Sequence, residues 1–130
     1  MSLSTQDTLD ILQLYARYNT AIDTGDDKGF ARCFVADAKF DAGIQVLDGH
    51  DAIAAFAAGT HKALPGMRHN ATNIVIDGAG DRAKGSAFLI GYDTKGGYKV
   101  IATGRYMDEL TKTAEGWRFT KRIFSPDKPE

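Results

Sequence analysis

The apolar positions change period midway along the chain. Ile11, Leu14, Tyr15, Tyr18 and Ile22 recur at helical spacing, with Asp10, Gln13, Arg17 and Thr20 on the opposite face, the pattern of an amphipathic helix with one buried stripe. Ser4 and Asp7 have the spacing of a capping pair in front of it, and Thr24-Gly25 ends it, because glycine readily takes the left-handed conformation that closes a helix. A second, shorter helix is expected to start at Asp26 or Asp27 and run through Phe34. A third is expected from Asp48-Gly49 to about His61. Between these, Lys39 to Asp41 and Gln45 to Leu47 are short and expected to pair around the Gly43 turn.

After Pro65-Gly66 the helical period gives way to segments rich in β-branched and aromatic residues, at about 67–76, 83–92, 98–110 and 117–124. The turn signals DGAGD, DTKGG and TAEG lie between them and suit hairpin connections. Helices followed by an antiparallel meander define an α+β domain, with three N-terminal helices packed on one face of a strongly curved, mostly antiparallel sheet. Gly85, Ala87, Gly91, Ala102 and Gly104 reduce side-chain volume inside otherwise good strands. They either let the sheet bend or leave space for a ligand.

A chain of 130 residues suits one domain, and 43% apolar with 25% charged residues excludes disorder as its main state. Sixteen basic and seventeen acidic side chains give a net charge of -1 without a dense Lys/Arg run, which argues against nucleic acid as a partner. The longest apolar stretch, around Ile53 to Ala58, is far short of the roughly 20 residues that cross a bilayer. The opening MSLSTQDTLD lacks the basic start and apolar middle of a secretion signal, so cytoplasmic residence is the expectation. Cys33, the single cysteine, is expected to be a small buried hydrophobe. No ligand set for a metal, Gly-rich phosphate loop or nucleophile motif stands in the sequence, so neither metal nor cofactor is expected.

The candidate chemistry centres on His69. Strand alternation through RHNATNIVI puts His69, Ala71, Asn73 and Val75 on one face. An imidazole titrates near neutral pH and in its neutral form accepts a proton, although a strand histidine also serves as a structural hydrogen-bonding group. Asp23, at the end of the first helix, is either a cap, like Asp26 and Asp27, or a carboxylate that fixes the histidine tautomer if the fold joins them. Alternation in the last strand groups Arg122 with Arg118 and Thr120, opposite Trp117, Phe119 and Ile123. Trp117 is expected in the core, and His50 and His61 on the helix surface.

The order Leu14-Tyr15, Asp23, Phe34, Asp37-Ala38, Gly49, His69-x-x-Thr72-Asn73 and Gly116-Trp117 resembles the SnoaL-like branch of the nuclear transport factor 2-like superfamily over nearly the whole chain, residues 1–130. Within it the sequence is similar to the group holding hexachlorocyclohexane dehydrochlorinase, scytalone dehydratase and bile acid dehydratase. That resemblance implies a conical pocket and an Asp23 and His69 catalytic dyad. Tyr18 would be a polar pocket group and Arg122 an aid to a leaving group or anion. Tyr15, Phe34, Asn73, Phe88 and Tyr106 are the expected substrate-binding residues. The implied function is a cofactor-independent lyase (dehydratase, dehydrohalogenase or aldol-type cleavage) acting on a small hydrophobic cyclic substrate. An isomerase or polyketide-type cyclase is the alternative, and a non-catalytic ligand-binding or assembly module a third. A homodimer or homotrimer is expected.

Overall fold

A computed structural model describes residues 2–128. The first helix, α1 (Thr5–Thr24), begins with a complete capping box, in which the Ser4 side chain accepts from the Asp7 N–H and the Asp7 carboxylate accepts from the Ser4 N–H. It ends at Gly25, whose φ of 79° lets the chain turn while its N–H reaches the Ala21 carbonyl. The predicted stripe is the buried face. Helix α2 (Asp27–Arg32) is capped by Asp26, which accepts from the Gly29 N–H at 2.9 Å. It stops two residues short of the expected end because Phe34 already belongs to a strand, β1 (Phe34–Asp41).

The strand β1 starts five residues earlier than its alternation suggests. It runs beside β6 (Gly116–Pro126) with a register shift between Phe34 and Lys39 that breaks the period of two. β2 (Val46–Asp48) folds back antiparallel on β1, pairing Asp41 with Val46. Helix α3 (Gly49–Ala63) follows. Neither histidine of α3 is fully exposed: the His50 ring contacts the Phe34 carbonyl at 2.6 Å and His61 packs over Gly25. The meander then runs β3 (Met67–Ala79), β4 (Arg82–Asp93), β5 (Lys99–Thr113) and β6.

The six strands lie in the order β2-β1-β6-β5-β4-β3, antiparallel throughout except for the parallel β1–β6 pair. Three helices therefore pack on one face of an open, mostly antiparallel sheet, as the order of elements predicts. The core between the layers is aromatic. Tyr18 lies 4.4 Å from Phe30 and 5.9 Å from Phe119, ring centroid to centroid, and Phe34 stacks on Phe40 at 5.6 Å. Cys33 is buried, and burial pushes its thiol up to about 11. Among the described residues no helix is long and apolar enough to cross a membrane.

Asp7 also fastens the start of α1 to the β5–β6 hairpin, accepting from Lys112 Nζ at 2.9 Å and from the buried Trp117 indole at 3.1 Å. The Lys112 ammonium, then Trp117, holds the Asp7 carboxyl well below the usual carboxylate range. A group depressed in the folded state contributes stability that is present above its unfolded pKa, about 3.9 for aspartate, and lost as pH falls through the folded value. Asp7→Asn is therefore expected to lower the urea midpoint at neutral pH and to flatten its decline on acidification below about pH 4, both read from unfolding curves at stepped pH.

Candidate active site

Because α1 packs along β3, its last turn sets Asp23 over the start of that strand. Asp23 caps nothing. One carboxylate oxygen accepts from the His69 backbone N–H at 2.8 Å and the other meets His69 Nδ1 at 2.6 Å. A carboxylate only accepts, so Nδ1 carries the proton, and in the neutral ring the lone pair is on Nε2. The side chains are 9% exposed for His69 and 11% for Asp23. The backbone contact fixes the carboxylate relative to the strand, and the ring contact fixes the imidazole relative to the carboxylate.

His69 lines a cavity of about 510 Å³, a volume suited to a small organic molecule. Its wall is mainly apolar, including Ile22, Phe40, Phe56, Leu89 and Phe124. The ionisable side chains on it, among the described residues, are His69, Tyr18 and Tyr106. Burial pushes both phenols above the ordinary tyrosine range, and the Arg122 charge opposes that rise. They are therefore neutral hydrogen-bond donors.

Three of the five small strand residues serve neither expected role, bending or ligand space, and instead make room for packed side chains. A Cβ at Gly85 would meet the Tyr15 hydroxyl, one at Gly91 the end of Met67, and one at Gly104 the Phe124 ring. Each of these glycines admits one particular side chain. Ala102 alone of the five lines the cavity.

The structure brings Asp23, His69, Tyr18 and Tyr106 together and places the other five expected residues elsewhere. Asn73, at φ 53°, forms a bulge between Thr72 and Val75 that inverts the alternation of β3. Asn73 and Val75 consequently face outward while Ile74 and Ile76 turn in. Phe88 is 47% exposed on the outer face of the sheet, under the Arg105 guanidinium. Phe34 is a core residue beneath Phe40. Tyr15 spends its hydroxyl on Asp108.

Arg122 departs furthest from its expected place. The register slips by one residue at Thr120, between the Glu109–Lys121 and Leu110–Phe119 pairs, so Arg122 joins Trp117 and Phe119 on the inner face. It is 1% exposed yet absent from the cavity wall. Its Nε donates to Asp108 Oδ1 at 2.9 Å, and the same carboxylate accepts from Tyr15. Asp108 is the residue that sequence reasoning did not place. Burial pushes its carboxyl upward, and Arg122 and Tyr15 pull against it. Its pairing with Arg122 is visible by counting back from the TAEG turn only once the bulge is known. Among the described residues, no three His, Cys, Asp or Glu side chains cluster as a metal site would require.

Residues 4–123 match the SnoaL-like domain, and the chain belongs to that family. Three solved structures illustrate the likeness. A Mycobacterium tuberculosis protein of unknown function is 31% identical with a TM-score of 0.90, over 97% of this chain and 79% of that one. A nuclear transport factor 2-like protein with a cystatin-like fold from Novosphingobium aromaticivorans is 25% identical with a TM-score of 0.89, over 96% and 84%. A protein of the same bacterium, provisionally called a scytalone dehydratase, is 23% identical with a TM-score of 0.82, over 96% and 89%. No curated protein matches the sequence.

Removing one member of a buried ion pair leaves an uncompensated charge, at a cost of about 3–5 kcal/mol. Asp108→Asn, which still accepts from Tyr15, is expected to destabilise the fold by about that amount in urea unfolding. The double variant Asp108→Asn/Arg122→Met should recover most of the loss. A double variant as unstable as the single would show that Arg122 contributes through packing alone.

Proposed function

We propose that the protein is a cofactor-independent lyase that removes a proton from a small, neutral, hydrophobic ring compound while a neighbouring group departs. The observation carrying this reading is a cavity-lining imidazole, His69, bonded through Nδ1 to the Asp23 carboxylate on a mainly apolar wall. With Nδ1 held by Asp23, Nε2 takes the proton and the carboxylate stabilises the imidazolium that results. In loss of water or halide the C–H electron pair becomes the new double bond, and hydroxide or halide leaves with its bonding pair. In aldol-type cleavage the base takes a hydroxyl proton instead, the O–H pair becomes the C=O of the departing fragment, and the broken C–C pair stays on the other carbon as an enolate. Tyr106, whose hydroxyl accepts from that of Tyr18, is the donor available to the departing group or to a substrate oxygen. Arg122 acts from behind them and not on the substrate.

A passive carrier of apolar ligands needs only an apolar wall, whereas a carboxylate and an imidazole are costly to desolvate and serve no carrier. The provisional name of one fold relative, a scytalone dehydratase, agrees with elimination of water. The outer sheet face, where Val75, Phe88, Ile90 and Met107 are exposed, is the surface through which we propose the chain forms a homodimer or homotrimer.

The test is turnover of a panel of hydroxylated, halogenated and polycyclic ring compounds in deuterated water. Elimination loses a group, isomerisation keeps every group and returns deuterium to carbon, and cyclisation keeps every group and uses the carbon's electron pair to close a ring. His69→Ala is expected to lower kcat by about 10²–10⁴-fold with the fold intact by circular dichroism. Asp23→Asn should fall within the same range, because its amide oxygen must serve the His69 N–H, which leaves the amide NH₂ facing Nδ1 and drives the ring proton to Nε2. Full activity in either variant removes that residue from the mechanism. Sedimentation velocity checks the assembly, and a monomer at tens of micromolar contradicts it.

A further inference from the structure

A guanidinium that is 1% exposed, with Asp108 as its one counter-charge and Nη1 unpartnered among the described residues, is a costly feature to keep in a small core. Its surroundings suggest what it does there. The Arg122 Cζ lies 3.6 Å from the Tyr106 ring centroid, 4.3 Å from Tyr18, 4.6 Å from Phe119 and 5.1 Å from Tyr15. Phe119 has no hydroxyl and that of Tyr15 is engaged by Asp108. The two nearest rings, Tyr106 and Tyr18, are also the two that line the cavity.

We propose that Tyr106, with Tyr18 beside it and Arg122 behind its ring, forms a subsite for a ligand oxygen that carries or develops negative charge, the enol, enolate or phenol oxygen of a ring compound. Charge on a phenol oxygen spreads into its ring, so a cation over the ring face makes the hydroxyl a stronger donor without entering the cavity. Arg122 is thus a positioning residue acting through Tyr106. The opposition of Arg122 to the burial-driven rise of both phenols agrees with this.

As a catalytic device the subsite rests on the proton-abstraction reading. When His69 removes a proton beside a carbonyl, the C–H pair forms a carbon–carbon double bond and the carbonyl π pair moves onto oxygen, where Tyr106 donates. The substrate class narrows accordingly to ring ketones, with enols or phenols as products.

Binding tests the subsite without turnover. The probes are 2-naphthol and naphthalene, which share a ring system and differ by one hydroxyl, measured by equilibrium dialysis at neutral pH. One good hydrogen bond is worth about tenfold in affinity, so 2-naphthol is expected to bind at least about tenfold tighter. Tyr106→Phe should erase that preference while still binding naphthalene. Asp108→Asn/Arg122→Met should shrink it several-fold, and His69→Ala should keep it. Equal affinities in the wild type overturn the subsite, as does a preference that survives Tyr106→Phe or is lost with His69→Ala. Binding of neither probe overturns it together with the cavity. Failure of the base reading alone shows separately, as undiminished turnover in His69→Ala.

Discussion

Asp23 hands both oxygens to one residue of β3, and the arrangement of the molecule around the cavity follows from that contact. The backbone N–H of His69 belongs to the scaffold and the ring nitrogen to the chemistry, and a single carboxylate serves both. Helix α1 is thereby fixed at its end to the strand that presents the imidazole. Gly25 makes this possible by ending the helix immediately afterwards and turning the chain toward α2. A longer α1 would carry the chain past β3, and a shorter one would leave the carboxylate short of the ring.

Behind the cavity stands a second polar group of a different kind. Arg122, Asp108 and Tyr15 are sealed from solvent, and Gly85 leaves room for the Tyr15 hydroxyl to reach the carboxylate. Buried ion pairs give little net stability because desolvation consumes most of their attraction. The aromatic rings around the guanidinium offset part of that cost. Two of those rings, Tyr18 and Tyr106, also line the cavity, so the electrostatics of the inner core and of the site are continuous.

The sequence made α1, its caps and the four-strand meander legible, because each is written in a sustained period with turn residues at its ends. Phe88 was wrongly expected in the pocket, although its parity, opposite to that of Gly85, Ala87 and Gly91, already sets it on the other face of β4. What alternation could not reveal was the bulges. One extra residue at Thr120 brought Arg122 from the polar face to the core, and one at Asn73 turned that side chain out to solvent. Neither residue type announces a bulge. The early start of β1 was hidden for a related reason, because its irregular pairing with β6 leaves no period to read. Asp23 and His69, by contrast, lie before these slips, and their positions were unaffected.

The most direct measurement is the tautomer of His69 by nitrogen-15 NMR of the imidazole, in the wild type and in Asp23→Asn. The neutral ring should carry its proton on Nδ1 in the wild type, with Nε2 showing the shift of an unprotonated nitrogen, and the proton should move to Nε2 in the variant. A wild-type ring protonated on Nε2, or one averaging between both forms, would contradict a base held ready by Asp23.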